Sequence, residues 1–280
     1  MQIPVFVVNL KNSQARRERI VKQLDDLGIS FRVFEAISGN EVDPGNLFLC
    51  NKKAEQGFGL LARRLLNNEF GCALSHLKIF EKIVADRIDR ACILEDDAIL
   101  SPDFSRILND DLLMRFRWGV IYLGHHGLLN RGNYHVGAAC TLPVQEIEGF
   151  LLSKPLELSN GTYAYIITRD AAFKLLQKAY PIRMPMDHFL GSAECLKISV
   201  FNVVPPVAIP DLSLESTICD RNLPLSDYFV FSRLHHNFQI IKNKIPLIKT
   251  TRLLIEDIYN RVLFSLRRKG FFRYSYVRKL

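Results

Sequence analysis

Short apolar runs of strand length alternate along this chain with longer stretches in which apolar residues recur every three or four positions. Residues 4–10 read as a strand, 16–28 as a helix with Ile20, Leu24 and Leu27 on one face, and 31–34 as a second strand. Residues 39–59 are loop-rich, and 60–86 carry a largely helical pattern that the spacing predicts to be interrupted near Gly71. The apolar run at 91–94 reads as a central strand, 118–123 and 163–168 as further strands, and 170–179 as a helix. Strands alternating with helices imply an α/β domain around a mainly parallel sheet.

The pattern changes near the carboxyl end. Leu247/Ile248, Thr251, Leu254/Ile255, Ile258, Val262 and Leu266 recur at helical spacing, with Lys249, Arg252, Glu256, Asp257 and Arg261 between them. Phe271, Phe272, Tyr274 and Tyr276 follow, interleaved with Arg267, Arg268, Lys269, Arg273, Arg278 and Lys279. The division expected is a catalytic-sized domain over 1–227 and a basic, aromatic-rich, helical tail over 228–280.

Charge sharpens that division. The net charge is +8, but residues 228–280 hold twelve Lys or Arg against two acids, leaving 25 basic and 27 acidic residues in 1–227. A basic amphipathic helix with an aromatic anchor suits an anionic membrane surface, where each nearby cation contributes about 1 kcal/mol. The other reading is a terminal helix packed on the body with a solvated basic face. No zinc-finger, RNP or KH signature accompanies the charge, so no nucleic-acid partner is expected.

With 280 residues, 48% hydrophobic and 24% charged, the chain is globular and large enough for one α/β domain plus an appendage, or for two small domains. Its first ten residues lack a basic n-region and a small-residue cleavage site, and no run of about 18 apolar residues occurs. Six cysteines, at 50, 72, 92, 140, 195 and 219, form no CxxC pair; reduced thiols and a cytoplasmic setting are expected, with Cys72 and Cys92 read as small core residues. No GxGxxG after a strand, no GxxxxGK[ST], no GxSxG and no HExxH occurs, which removes the dehydrogenase, P-loop, serine-hydrolase and zincin readings.

What remains is the run Ile93-Leu94-Glu95-Asp96-Asp97, an apolar strand that ends in three consecutive carboxylates. A run buried on both faces delivers those acids to the carboxyl edge of the sheet, where open α/β sheets bind ligands. Crowded carboxylates need a compensating cation, and oxygen ligands suit Mg²⁺ or Mn²⁺, which in turn bind phosphates. A solvated turn ahead of Ser101-Pro102-Asp103 is the competing explanation. Arg16, Arg17 and Arg19, just after the first strand, stand where a diphosphate would need neutralising, or else form the solvated face of the first helix. His125-His126 is not read as a metal pair, because adjacent side chains on an extended chain point to opposite faces. His235-His236 meets that objection only if extended, and Asp211 with residues 213–218 closes the domain.

Four ordered motifs now add up. Asn9-Leu10 with Arg16-Arg17, then Phe34-Glu35-Ala36-Ile37-Ser38-Gly39, then Glu69 to His76, then Ile93 to Asp97, resemble glycosyltransferase family 25, the bacterial lipopolysaccharide and lipooligosaccharide transferases related to the collagen galactosyltransferases. The match continues through Gly161 to Thr168, Ala171-Ala172 and Pro185-Met186-Asp187, covers about residues 3–218, and leaves the tail outside. The resemblance implies a GT-A-like α/β fold and an inverting transferase that uses a UDP-sugar, most commonly UDP-galactose, with a divalent metal, Mn²⁺ or Mg²⁺. On that basis Glu95 and Asp97 would hold the metal, with His188 as a third ligand. Asn9, Leu10, Arg16, Arg17, Ala36, Ser75, His76 and Asp96 would contact the donor, with His76 hydrogen-bonding either the donor or the acidic run, or else standing as a satisfied core histidine. Tyr163 and Tyr165, two apart and so on one strand face, would offer aromatic surface to a sugar or else fill the core. Asp187 would be the base that deprotonates the acceptor hydroxyl, or the N-cap of a helix over 188–195.

The expectation is thus a cytoplasmic enzyme, peripheral at the inner membrane, that adds a hexose to a lipid-linked oligosaccharide. Two alternatives stay open: a noncatalytic membrane- or polyanion-binding protein on a degenerate transferase fold, and the same chemistry with UDP-glucose or a UDP-N-acetylhexosamine.

Overall fold

The computed structural model describes residues 3–43, 46, 65–108, 110–113, 116–129, 133–136, 141–147, 149–155, 161–211 and 213–214. The tail reading over 228–280, the domain boundary at 227 and His235-His236 lie outside the described residues.

The chain opens β1 (Val5–Asn9), α1 (Gln14–Asp26), β2 (Phe31–Glu35), followed by α2 (Asn67–Ala85), β3 (Arg90–Glu95) and β4 (Ala98–Leu100). After two single helical turns come β5 (Val120–Tyr122), β6 (His126–Leu129), β7 (Asn133–Val136), β8 (Thr141–Ile147) and β9 (Phe150–Pro155). The last described stretch holds β10 (Ala164–Thr168), α3 (Arg169–Ala179), α4 (Met186–Gly191), β11 (Val200–Val204) and β12 (Ala208–Pro210).

Eight of these strands form one mixed sheet in the order β2-β1-β3-β10-β5-β11-β9-β8. The pairings run β2, β1, β3, β5, β11 and β8 in one direction, with β10 and β9 reversed. The mainly parallel sheet expected from the alternation is therefore interrupted at its centre, where β10 lies antiparallel between β3 and β5. Strand sequence alone does not distinguish the two cases, since a central strand is an apolar run either way.

The sheet sits between two helical layers, and the period of two decides which residue meets which layer. On one face Phe6, Val8, Ala91, Ile93, Tyr122 and Tyr165 pack with Phe70, Leu77, Phe80 and Ile83 of α2, Leu175 of α3 and Leu190 of α4. On the other, Val5, Val7, Cys92, Leu94 and Ile121 pack with Ile20 and Leu24 of α1. Phe80 is fully buried, and its truncation to alanine would cost about 3–5 kcal/mol.

Gly71 does not interrupt α2, which is continuous through it. A Cβ at Gly71 would stand 2.6 Å from the Ile37 carbonyl oxygen and 2.9 Å from the Gly39 amide nitrogen. The glycine serves close approach between helix and loop, and packing offsets its low helix propensity. Ser75, one turn on, donates through Oγ to the Gly71 carbonyl at 2.7 Å and accepts from the Ile37 amide at 2.8 Å. Two contacts of one helix face thus hold the loop after β2 in place. Similarly, Gln23 of α1 donates to the Ala98 carbonyl at 3.0 Å and accepts from the Leu100 amide at 2.8 Å, which fixes the chain leaving the acidic run. Among the described residues no helix is long and apolar enough to cross a membrane.

Candidate active site

The carboxyl ends of β1, β2 and β3 open into a cleft of about 380 Å³ against the first turns of α2. Leu10, Arg16, Ala36, Ser75, His76, Glu95, Asp96 and Asp97 line it, together with Ser38, Asn68 and Cys72. The sequence reading did not place the last three in the site, and Cys72 was expected in the core. Cys72 and His76, four apart on α2, share a helix face, and that spacing was the available signal. Cys92, by contrast, is fully buried as expected.

The three carboxylates meet three different environments. Asp96 accepts from Asn9 Nδ2 at 2.7 Å through Oδ2 and from Arg16 Nη1 at 3.0 Å through Oδ1. Asn9 Nδ2 also donates to the Ser13 carbonyl at 3.1 Å, so β1 and the start of α1 both brace this carboxylate. Burial still pushes Asp96 above its ordinary value, against these hydrogen bonds.

Burial also works to raise Glu95, but the hydrogen bond and charge of His76, aided by Thr162 and Arg16, leave its carboxyl lowered. His76 Nε2 lies 3.2 Å from Glu95 Oε1, and its Nδ1 lies 2.8 Å from the Tyr165 hydroxyl. With Glu95 ionised, the proton of that pair sits on Nε2, which donates to the carboxylate.

Asp97 is the exception. Its Oδ2 is 3.9 Å from Arg16 Nη1, while Oδ1 is buried with no hydrogen-bond partner among the described residues. Burial first, then the charges of Glu95 and Asp96, push its carboxyl up to about 7 against the pull of Arg16. A partnerless buried carboxylate oxygen beside two other acids is what a divalent cation satisfies, and an all-oxygen donor set suits Mg²⁺ or Mn²⁺. The residues present therefore fit such an ion.

Several expectations need correction. Arg17 is exposed on α1 and does not line the cleft; it belongs to the solvated helix face. Arg19 instead pairs with Asp211, whose amide donates to the Asp97 carbonyl at 2.7 Å. Tyr163 and Tyr165 do not share a face, because the strand begins only at Ala164: Tyr165 packs on the α2 side and Tyr163 on the α1 side. Both rings are buried, at 4% and 0% exposure, so neither offers a surface to a sugar, and core packing accounts for both. Pro185, not Asp187, is the N-cap of α4, and Asp187 sits in its first turn with Oδ1 accepting from the His188 amide at 2.8 Å. Asp187 is close enough to Cys72 that its charge, with those of Glu95 and Asp97, adds to the burial that raises the thiol. His188 faces its neighbour, with Nε2 4.0 Å from Asp187 Oδ2; the imidazole at the carboxylates is His76, and His188 lines no part of the cleft. His125 is buried, and nothing described pairs it with a metal cluster.

This cleft lies within the segment, residues 2–190, that matches the family model described as glycosyltransferase family 25 (LPS biosynthesis protein). The chain belongs to glycosyltransferase family 25. Among family-25 relatives, it is 31% identical over 194 residues to procollagen galactosyltransferase 1-B of Xenopus laevis, covering 66% of this chain and 30% of that protein. It is 30% identical over 193 residues to the probable inactive glycosyltransferase 25 family member 3 of Rattus norvegicus, covering 66% of this chain and 32% of that one. The matched stretch thus spans about a third of the length of these relatives. Among solved structures, that of a Drosophila β-1,4-galactosyltransferase 7 mutant with manganese, UDP-Gal and xylobiose aligns at a TM-score of 0.36 and 12% identity, covering 79% of this chain and 72% of that one. The family-25 match contains the acidic run, the cleft wall of α2 and Asp187, and it ends before the basic tail.

Proposed function

We propose that this family-25 chain is an inverting glycosyltransferase that moves a hexose, galactose from UDP-galactose, onto a lipooligosaccharide or lipopolysaccharide acceptor with the help of a divalent cation. The observation that carries the reading is the partnerless Asp97 oxygen in a cleft that also presents an arginine and two further acids. Galactose is supported by relatives named as galactosyltransferases, and the acceptor class by the family description.

Asp97, with Glu95 and Asp96 beside it, would hold the cation, which when bound neutralises the negative charge developing on the diphosphate leaving group. Arg16 already spans Asp96 and Asp97, and a diphosphate offers its guanidinium a stronger partner. Leu10, Ala36 and Ile37 give the cleft an apolar wall that excludes water from the donor. In a single displacement the acceptor oxygen attacks the anomeric carbon as the bond to the UDP oxygen breaks, and the hydroxyl proton passes to a base on the opposite side. Asp187, part-exposed and within electrostatic reach of the cleft residue Cys72, fits that role. His76, anchored by Tyr165, would position Glu95 from the cleft wall.

Some relatives are described as inactive, which favours the noncatalytic alternative as a second reading. UDP release from a panel of UDP-sugars, with Mn²⁺, Mg²⁺ or EDTA, separates the two. Chelator-sensitive turnover of one sugar, abolished by Asp97→Ala, is expected; no turnover with any sugar would favour the binding protein.

The basic tail is proposed to hold the enzyme at an anionic cytoplasmic membrane face, near a lipid-linked acceptor. Its support is the +10 charge of residues 228–280 and their interleaved aromatics. Deletion of 240–280 should release the protein from anionic vesicles while sparing UDP release with a soluble acceptor; unchanged vesicle binding would overturn this.

A further inference from the structure

At the back of the cleft, Cys72 Sγ, a His76 ring nitrogen and a Glu95 carboxylate oxygen all lie within 4.8 Å of one another. We propose that these three side chains form a site for a soft divalent cation, zinc, which adjoins the hard-cation position at Asp97 and shares Glu95 with it. The inference rests on the cleft's geometry and not on the transferase reading.

Ligand chemistry separates the two positions. Asp97 and Asp96 offer only oxygen, whereas thiolate, imidazole and one carboxylate are the ligand types that zinc selects. Zinc bonds of about 2.0–2.3 Å place neighbouring tetrahedral ligands about 3.3–3.8 Å apart. His76 Nε2 and Glu95 Oε1 already stand 3.2 Å apart, so rotamer adjustment of a few tenths of an ångström to about 1 Å completes the triangle.

Two features prepare the site. Cys72 and His76 come from one face of α2, a rigid element, and Glu95 from the end of β3. The Tyr165 hydroxyl, 2.8 Å from Nδ1, holds the ring so that Nε2 faces the carboxylate; an outer hydrogen bond of this kind orients metal-bound histidines. All three residues also line the cleft, which gives an ion a route in. On binding, Sγ and Nε2 both exchange their protons for the metal; the thiol proton leaves to solvent, and the ring keeps its one remaining proton on Nδ1, which donates to the Tyr165 hydroxyl.

Cobalt(II) provides the test, because a thiolate bound to it gives a near-ultraviolet charge-transfer band. The full chain should take up one equivalent with that band, lose the band to one equivalent of Zn²⁺, and keep it in excess Mg²⁺. Cys72→Ser should abolish the band, His76→Gln should weaken Co²⁺ affinity at least tenfold, and Asp97→Ala should retain the band. Retention in Asp97→Ala, alongside its effect on UDP release, keeps this site's failure distinct from failure of the transferase reading. Absence of the band, displacement by Mg²⁺, or persistence in Cys72→Ser through the thiols at 50, 140, 195 or 219 would overturn the proposal. Should Cys72→Ser not fold, zinc-edge X-ray absorption on the wild type decides: one sulfur at about 2.3 Å supports the site, and a sulfur-free shell refutes it.

Discussion

Replacing Asp97 with asparagine should make the metal-free protein more stable and the enzyme inactive. The Asp97 carboxyl is pushed up to about 7, principally by burial. An ordinary aspartate titrates at about 3.9, so the gap of about three units amounts to a ceiling of about 4 kcal/mol of disfavoured ionisation. The side chain is 27% exposed, and solvent screening reduces that ceiling to about 1–2 kcal/mol. The sign follows from linkage. A carboxyl with a raised folded-state value contributes its stability below about pH 4, and that contribution is lost as pH rises to about 7. Urea unfolding in EDTA should therefore show Asp97→Asn gaining on the wild type by about 1–2 kcal/mol between pH 5 and pH 8. Added Mn²⁺ or Mg²⁺ should reverse the order, since a ligand at a hundred times its Kd stabilises the wild type alone by about 2.7 kcal/mol. A pH-independent difference, or equal metal stabilisation of both proteins, would refute the assignment of Asp97 as the strained cation ligand.

Arg16→Ala should weaken donor binding at least tenfold in calorimetric titration, whereas Arg17→Ala, on the exposed face, should leave it within twofold. Gly71→Ala should destabilise the fold by about 1–3 kcal/mol in urea and loosen the cleft, because the added Cβ meets backbone atoms that cannot rotate away. Asp187→Asn should lower kcat for sugar transfer by about 10²–10⁴-fold with little change in donor affinity. Equal loss of donor binding would place Asp187 on the donor side instead.

The sequence made the opening β-α-β unit, the apolar strand at 91–94 and its acidic end visible because each depends on local pattern alone. Antiparallel insertion of β10 was not visible, since Ala164 to Thr168 is apolar whichever way it runs. Nor were the paired strands across 126–155, where the alternation is weak and Pro143 sits at a register shift. The tyrosines show the same limit at the scale of one residue. Period-two reasoning places Tyr163 and Tyr165 together only if the strand includes both, and it begins one residue later than Tyr163. Cys72 was assigned to the core from its apolar neighbours, yet close approach of α2 to the loop at 37–39 leaves that helix face as cleft wall. Which face of a helix borders a void is set by its neighbours, not by its own composition.

Three adjacent carboxylates in a part-buried cleft would repel one another strongly at neutral pH, and the fold answers each differently. Glu95 is matched with an imidazole that Tyr165 anchors, and Asp96 with an asparagine and an arginine, so both are satisfied by the protein. Among the described residues, Asp97 has a distant guanidinium at one oxygen and no hydrogen-bond partner at the other. Had all three been paired, a cation would have to break existing bonds to enter; had none been, the cleft would not stay folded around them. On the proposed reading, leaving one oxygen unpartnered would concentrate a cation's affinity at one atom, and Arg16 would serve as a replaceable counter-charge for a diphosphate to recruit.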